Sequence, residues 1–126
     1  MVDVEKQIDY WRQSSDEDWE VAVKLVRDGK SRHGLFFAHL ALEKMLKAII
    51  CRRTRDIPPR IHNLTRLGEL AGLKPDDRQA DALADMNQFN MEGRYPEFYT
   101  PQPSFEEATE YIARSQEILT WLIQQS

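Results

Sequence analysis

The sequence predicts an all-α protein, an up-and-down bundle of four long helices and one short helix in a single domain spanning residues 1–126. Three observations predict it. Apolar residues recur at spacings of three and four along most of the chain, Gly, Pro and Asn fall at the breaks between those runs, and no segment alternates convincingly as a half-buried strand would. A length of 126 residues suits one domain and is enough to bury a core.

The first helix is expected over about 3–28, where Val4, Ile8, Trp11, Ser15, Trp19, Ala22 and Val26 make one stripe of apolar or small side chains. Asp28, Gly29 and Lys30 end it, with Gly29 suited to a C-terminal cap. The second, about 32–53, is expected to be central and most buried, because Leu35, Phe36, Phe37, Leu40, Leu42, Met45, Leu46, Ile49 and Ile50 cover more than one face. Pro58 and Pro59 prevent its continuation. A short third helix, about 63–71, has Asn63 as its cap and Gly72 as its stop, and presents Leu64, Leu67, Leu70 and Ala71. The fourth, about 76–90, starts beside Pro75 with Asp76 and Asp77 in its first turn, and its apolar contacts are Ala82, Leu83, Met86 and Phe89. NMEGRYPEFYTPQP, with three prolines and three aromatics, is expected to be an ordered loop rather than a linker. In the last helix Ser104 and Glu107 form a capping box, and Phe105, Ala108, Ile112, Ser115, Leu119 and Leu122 form the buried stripe.

Composition narrows the function classes. Hydrophobic residues at 41% and charged residues at 30% fit a soluble globular protein, and a net charge of −4 argues against a strongly basic nucleic-acid-binding domain. A local basic patch exists all the same: Arg52, Arg53, Arg55 and Arg60 lie within ten residues, interrupted by Asp56. Cys51 is the one cysteine, so neither an intrachain disulfide nor a Cys-based zinc site is available, and a reducing, cytoplasmic setting is expected. No export signal or membrane-length apolar run is seen, so no membrane association is expected. The three histidines are scattered, and no metal or other cofactor is expected.

Within the second helix His39, Glu43 and Lys47 stand four apart, on one face, with Glu43 on the favourable N-terminal side of Lys47. They make either a polar edge held by an ion pair or a buried polar cluster facing a partner chain or ligand. The arginine patch admits three readings: a solvated helix end favoured by the dipole, a phosphate or nucleotide site, or a docking surface for a protein. Tyr95, Phe98 and Tyr99 beside Arg94 either stack on a base or close a loop over the core. His62 with Asn63 is expected to cap the third helix, His39 to be a satisfied polar group within the bundle, and His33 to lie on the surface.

LFFAHLALEKMLKAII, then PPRIHNLTRLGELAGL, then RYPEFY, in that order, resembles the HEPN family (higher eukaryotes and prokaryotes nucleotide-binding domain), and the resemblance spans nearly the whole chain. It implies a helical bundle, commonly a homodimer, often encoded beside a minimal nucleotidyltransferase with which it forms a toxin–antitoxin pair. The Glu43, Lys44 and Lys47 pattern is typical of the family, and Glu43 is expected to pair with Arg94 and pin the RYP loop. Other members are ribonucleases, marked by an arginine followed four to six residues later by a histidine near the start of a late helix. Here Arg55 precedes His62 with six residues between, Pro58 and Pro59 lie inside the interval, and the pair stands before the short third helix. The expected function is a nucleotide-associated component working with a nucleotidyltransferase, with Arg52, Arg53, Arg60, Arg94 and Tyr95 as nucleotide or phosphate contacts. The alternatives are a metal-independent ribonuclease, in which His62 is acid or base and Arg55 holds phosphate, and a non-catalytic scaffold.

Overall fold

The computed structural model describes residues 3–90 and 102–126, and among them the secondary structure is all helical. The helices are α1 (Val4–Arg27), α2 (Ser31–Thr54), α3 (Leu64–Leu70), α4 (Asp77–Met86), a 3₁₀ turn at Asn87–Phe89, and α5 (Phe105–Gln125).

Local chemistry sets most of the boundaries. Asp3 caps α1 by accepting the Lys6 amide at 3.1 Å. At the other end Gly29 takes φ +82°, and the amides of Gly29 and Lys30 donate back to Val26 and Leu25. That is a Schellman cap, which only a residue without Cβ adopts without strain. The reversal is tight enough for α2 to start at Ser31 and return along α1, and this hairpin is the most extensive helix pairing of the fold. Gly72 and Leu73 close α3 with the same pair of bonds, to Glu69 and Gly68.

The central position expected of α2 is observed. It packs against α1, α3, α5 and the 3₁₀ turn, and 15 of its 24 residues are buried. The wide apolar arc therefore reflects contact with several neighbours at once. Leu35, Leu42, Met45, Leu46 and Ile49 are almost completely removed from solvent, each stabilising by roughly 1.5–3 kcal/mol. They meet Ala22 and Val26 of α1, Leu64 and Leu67 of α3, Leu83 and Met86 of α4, and Leu119 and Leu122 of α5 in one core.

Two details depart from expectation. The fourth helix is α-helical only to Met86 and continues as the 3₁₀ turn Asn87–Phe89, rather than running as one α-helix to about 90. Asn87 accounts for the change: its side chain accepts the Leu64 amide at 2.8 Å and donates to Asn63 Oδ1 at 3.3 Å, tying the end of α4 to the start of α3. Phe89 is buried as expected, edge-on to Tyr111 at 5.0 Å. Phe105, expected on a buried stripe, is 54% exposed and instead rims a shallow apolar groove with Val23, Val26 and Ile112. The capping boxes at Asp76 with Gln79 and at Ser104 with Glu107 are both formed.

Candidate functional site: a buried carboxylate beneath the loop to α3

Four-residue spacing on α2 aligns His39, Glu43 and Lys47, and the helix turns that line inward: all three are buried. A buried carboxylate is costly unless it is paired and hydrogen-bonded. Lys47 Nζ donates to Glu43 Oε2 at 3.1 Å. The Lys47 ammonium also lies 5.4 Å from the centre of the Trp11 ring, so the pair is roofed by the aromatic face of α1.

The other carboxylate oxygen is engaged from outside the helix. His62, in the loop between α2 and α3, places Nδ1 3.0 Å from Glu43 Oε1. Its own carbonyl oxygen lies 3.1 Å from His39 Nε2. Since a carbonyl accepts only, His39 is the donor there. The same Glu43 Oε1 lies 3.8 Å from His39 Nδ1. The loop is thus gripped at the ring and at the backbone of one residue. Pro58 and Pro59 limit its conformations before the grip, and Asn63 caps α3 after it by accepting the Arg66 amide at 3.1 Å. The His62 side chain remains 40% exposed, so an imidazole held by a buried carboxylate is presented at the surface. Such carboxylate–imidazole pairs hold a ring for proton transfer in acid–base chemistry.

The remaining residues singled out by sequence lie elsewhere or serve otherwise. Arg55 stands twelve positions beyond Glu43, about 18 Å along the helix at 1.5 Å per residue. Its guanidinium pairs with Glu5 of α1 at 3.0 Å, both side chains more than half exposed. The structure therefore directs Arg55 toward the start of α1 and His62 toward Glu43 rather than toward one another. Arg53 donates from Nη1 to the Ala71 carbonyl, bracing the end of α2 against the end of α3. Arg52 and Arg60 are exposed, as is His33. Arg94, Tyr95, Phe98 and Tyr99 lie outside the described residues, and so does the expected pairing of Glu43 with Arg94. Lys44, on the outer side of the E-K-x-x-K pattern, joins α2 to α1 through Asp18 and Ser14, each at 2.7 Å.

Sequence reasoning placed His62 at the cap of α3 and did not foresee its bond to Glu43. The capping falls to Asn63, helped by Asn87. The available signal was an acid on an otherwise buried helix, which demands more than one partner. Cys51 adds no nucleophile: it is fully buried, its Sγ faces the Val4 carbonyl at 3.9 Å, and burial pushes the thiol pKa up, with Arg55 opposing in part. Among the described residues no group of three His, Cys, Asp or Glu is placed to hold a metal ion, and no helix is long and apolar enough to cross a membrane.

Comparison with known proteins places this fold in a family. The fold is similar to that of TT1696 from Thermus thermophilus, with a TM-score of 0.77 and 20% identity over 95% of this chain and 98% of that one. It is also similar to ST0689, an archaeal HEPN homologue, with a TM-score of 0.74 and 20% identity over 94% of this chain and 96% of that one. A search among curated proteins finds no match. The family model of the HEPN domain matches residues 8–125, and on that match, with the helical fold, the chain belongs to the HEPN domain family.

Proposed function

We propose that this HEPN protein binds the phosphates of a nucleotide or an RNA at the basic end of α2, as the nucleotide-associated partner of a minimal nucleotidyltransferase in a toxin–antitoxin-type pair. In this proposal it works in the cytoplasm as a homodimer. The observation that carries the phosphate site is Arg55. It is the only non-glycine residue with positive φ among those described, at +58°, in a C-terminal cap where glycine is usual. That conformation costs roughly 1 kcal/mol. Its ion pair with Glu5 is solvent-exposed and hence weak, so an incoming phosphate competes with a carboxylate for a bidentate guanidinium. Arg52 and Arg60 flank it, both exposed, on a chain whose net charge is −4. Arg53, held by Ala71, has the smaller role.

The test is thermal stabilisation by ATP, GTP and a short oligoribonucleotide. Stabilisation is expected to fall in Arg52→Ala and Arg60→Ala and to weaken with salt. Co-expression with a minimal nucleotidyltransferase from the same genome is expected to yield a complex that survives purification. Failure of both would remove the proposal.

One observation favours a second reading, a metal-independent ribonuclease: the surface imidazole of His62 on the buried carboxylate of Glu43. In that reaction His62 takes the proton of a ribose 2′-hydroxyl, and the freed oxygen bonds to the adjacent phosphorus. The bond to the 5′ oxygen breaks, that oxygen takes a proton from water, and the imidazolium returns its proton to the hydroxide left behind. Cleavage of mixed RNA in EDTA by the wild type, lost in His62→Ala, would establish it. If neither binding nor cleavage is found, a non-catalytic scaffold is the remaining alternative.

A further inference from the structure

We propose that Glu43 is the positioning residue that fixes the tautomer of His62, holding the proton on Nδ1 so that the lone pair of the neutral ring sits on Nε2. Its catalytic consequence rests on the ribonuclease reading, whereas the tautomer itself does not. The three groups around Glu43 together give the direction. Lys47 can only donate, and it occupies Oε2. A carboxylate has no proton to give, so both of its oxygens can only accept. Its other oxygen, 3.0 Å from His62 Nδ1, therefore receives a proton from that nitrogen. Free imidazole side chains favour the opposite arrangement, with the proton on Nε2, so the carboxylate selects the less common form. His39 contributes by donating from Nε2 to the His62 carbonyl, which stops the loop from sliding and the ring from swinging away.

An isosteric substitution inverts the arrangement. In Glu43→Gln, Lys47 still needs an acceptor, so the amide oxygen turns toward Lys47 and the amide NH₂ faces His62. An NH₂ donates, so His62 Nδ1 must accept, and the ring proton moves to Nε2. Lys47→Met is the complementary variant: it removes the ammonium, leaves the carboxylate as an acceptor, and is expected to preserve the Nδ1–H form. Methionine also fills nearly the same space against Trp11.

The experiment is long-range proton–nitrogen NMR of histidine-labelled protein, well above the usual imidazole range. His62 is assigned by its loss in His62→Ala, and RNA cleavage in EDTA is followed in parallel. The wild type and Lys47→Met are expected to show a protonated Nδ1 and an unprotonated Nε2, and Glu43→Gln the reverse. A wild type with the proton on Nε2, or Glu43→Gln with unchanged ring nitrogens, would overturn the proposal. Where RNA is cleaved, Glu43→Gln is expected to lower kcat by about 100-fold or more and to shift the pH profile, with KM little changed. Retention of kcat despite an inverted tautomer would overturn the positioning role. An Nδ1–H wild type that cleaves no RNA would uphold the tautomer assignment and dispose of the ribonuclease reading alone.

Discussion

Removing either charge of the Glu43–Lys47 pair perturbs the fold severely, because both groups are buried. The two side chains are 5% and 6% exposed, and their oxygen and nitrogen lie 3.1 Å apart. Breaking a buried pair by deleting one partner strands the other charge and costs about 3–5 kcal/mol, whereas replacing both by apolar groups of similar volume is close to neutral. Glu43→Leu leaves the Lys47 ammonium buried and removes the acceptor of His62, so its cost is expected at about 4 kcal/mol. Lys47→Met leaves a carboxylate that still accepts from His62, which places it at the lower end, about 3 kcal/mol. The double variant loses the His62 bond, about 1 kcal/mol, and the contact of the Lys47 ammonium with Trp11, and is expected to be more stable than either single variant. Urea denaturation of the four proteins at one concentration, with unchanged m-values, measures the cycle. Single costs below about 1 kcal/mol that simply add would refute the reasoning, since exposed pairs behave that way.

Other consequences are as direct. A Cβ on Gly34 would lie 2.6 Å from Val26 Cγ2 and 2.9 Å from the Val26 backbone nitrogen, where α2 packs against α1. Gly34→Ala is therefore expected to destabilise by about 1–3 kcal/mol despite its higher helix propensity, and an unchanged urea midpoint would contradict the close packing. The Ser104 backbone amide, and then its side chain, hold the Glu107 carboxyl below its ordinary value of 4.5. A lowered folded-state pKa stabilises above the unfolded value, and that contribution is lost as pH falls from 4.5 through the folded one. Glu107→Gln should flatten this part of the acid dependence, as followed by urea midpoints against pH. Cys51, buried with a raised pKa, is expected to react with a thiol reagent only as fast as the protein opens. Rapid stoichiometric labelling of the native protein would show that the contact between α1 and α2 opens readily.

The helices were legible where local chemistry decides them. The three- and four-residue stripes of α1, the all-round apolar surface of α2 and the Ser104–Glu107 box of α5 all depend on residues within a turn or two of one another. The change from α4 to a 3₁₀ turn was not legible, because the Asn87 side chain is engaged by Leu64 and Asn63, partners more than twenty positions away. Phe105 keeps the stripe's spacing, but it stands at the first position of α5, where its ring lies at the rim of a groove. At the site, the Glu43–Lys47 pair follows from i, i+4 spacing. The bond from His62 does not, since it crosses nineteen positions and a proline-directed loop whose path no local rule specifies. The same loop explains why Arg55 and His62, close in sequence, go to different acids.

The phosphate site at the end of α2 is tested most directly by fluorescence anisotropy of a labelled oligoribonucleotide, titrated with the protein at about 50 mM and about 200 mM salt. Saturable binding is predicted at low salt, weakened at high salt, and reduced further in Arg52→Ala with Arg60→Ala, both residues being exposed and off the core. No binding at low salt, or binding untouched by salt and by both substitutions, would contradict a phosphate site built on these arginines.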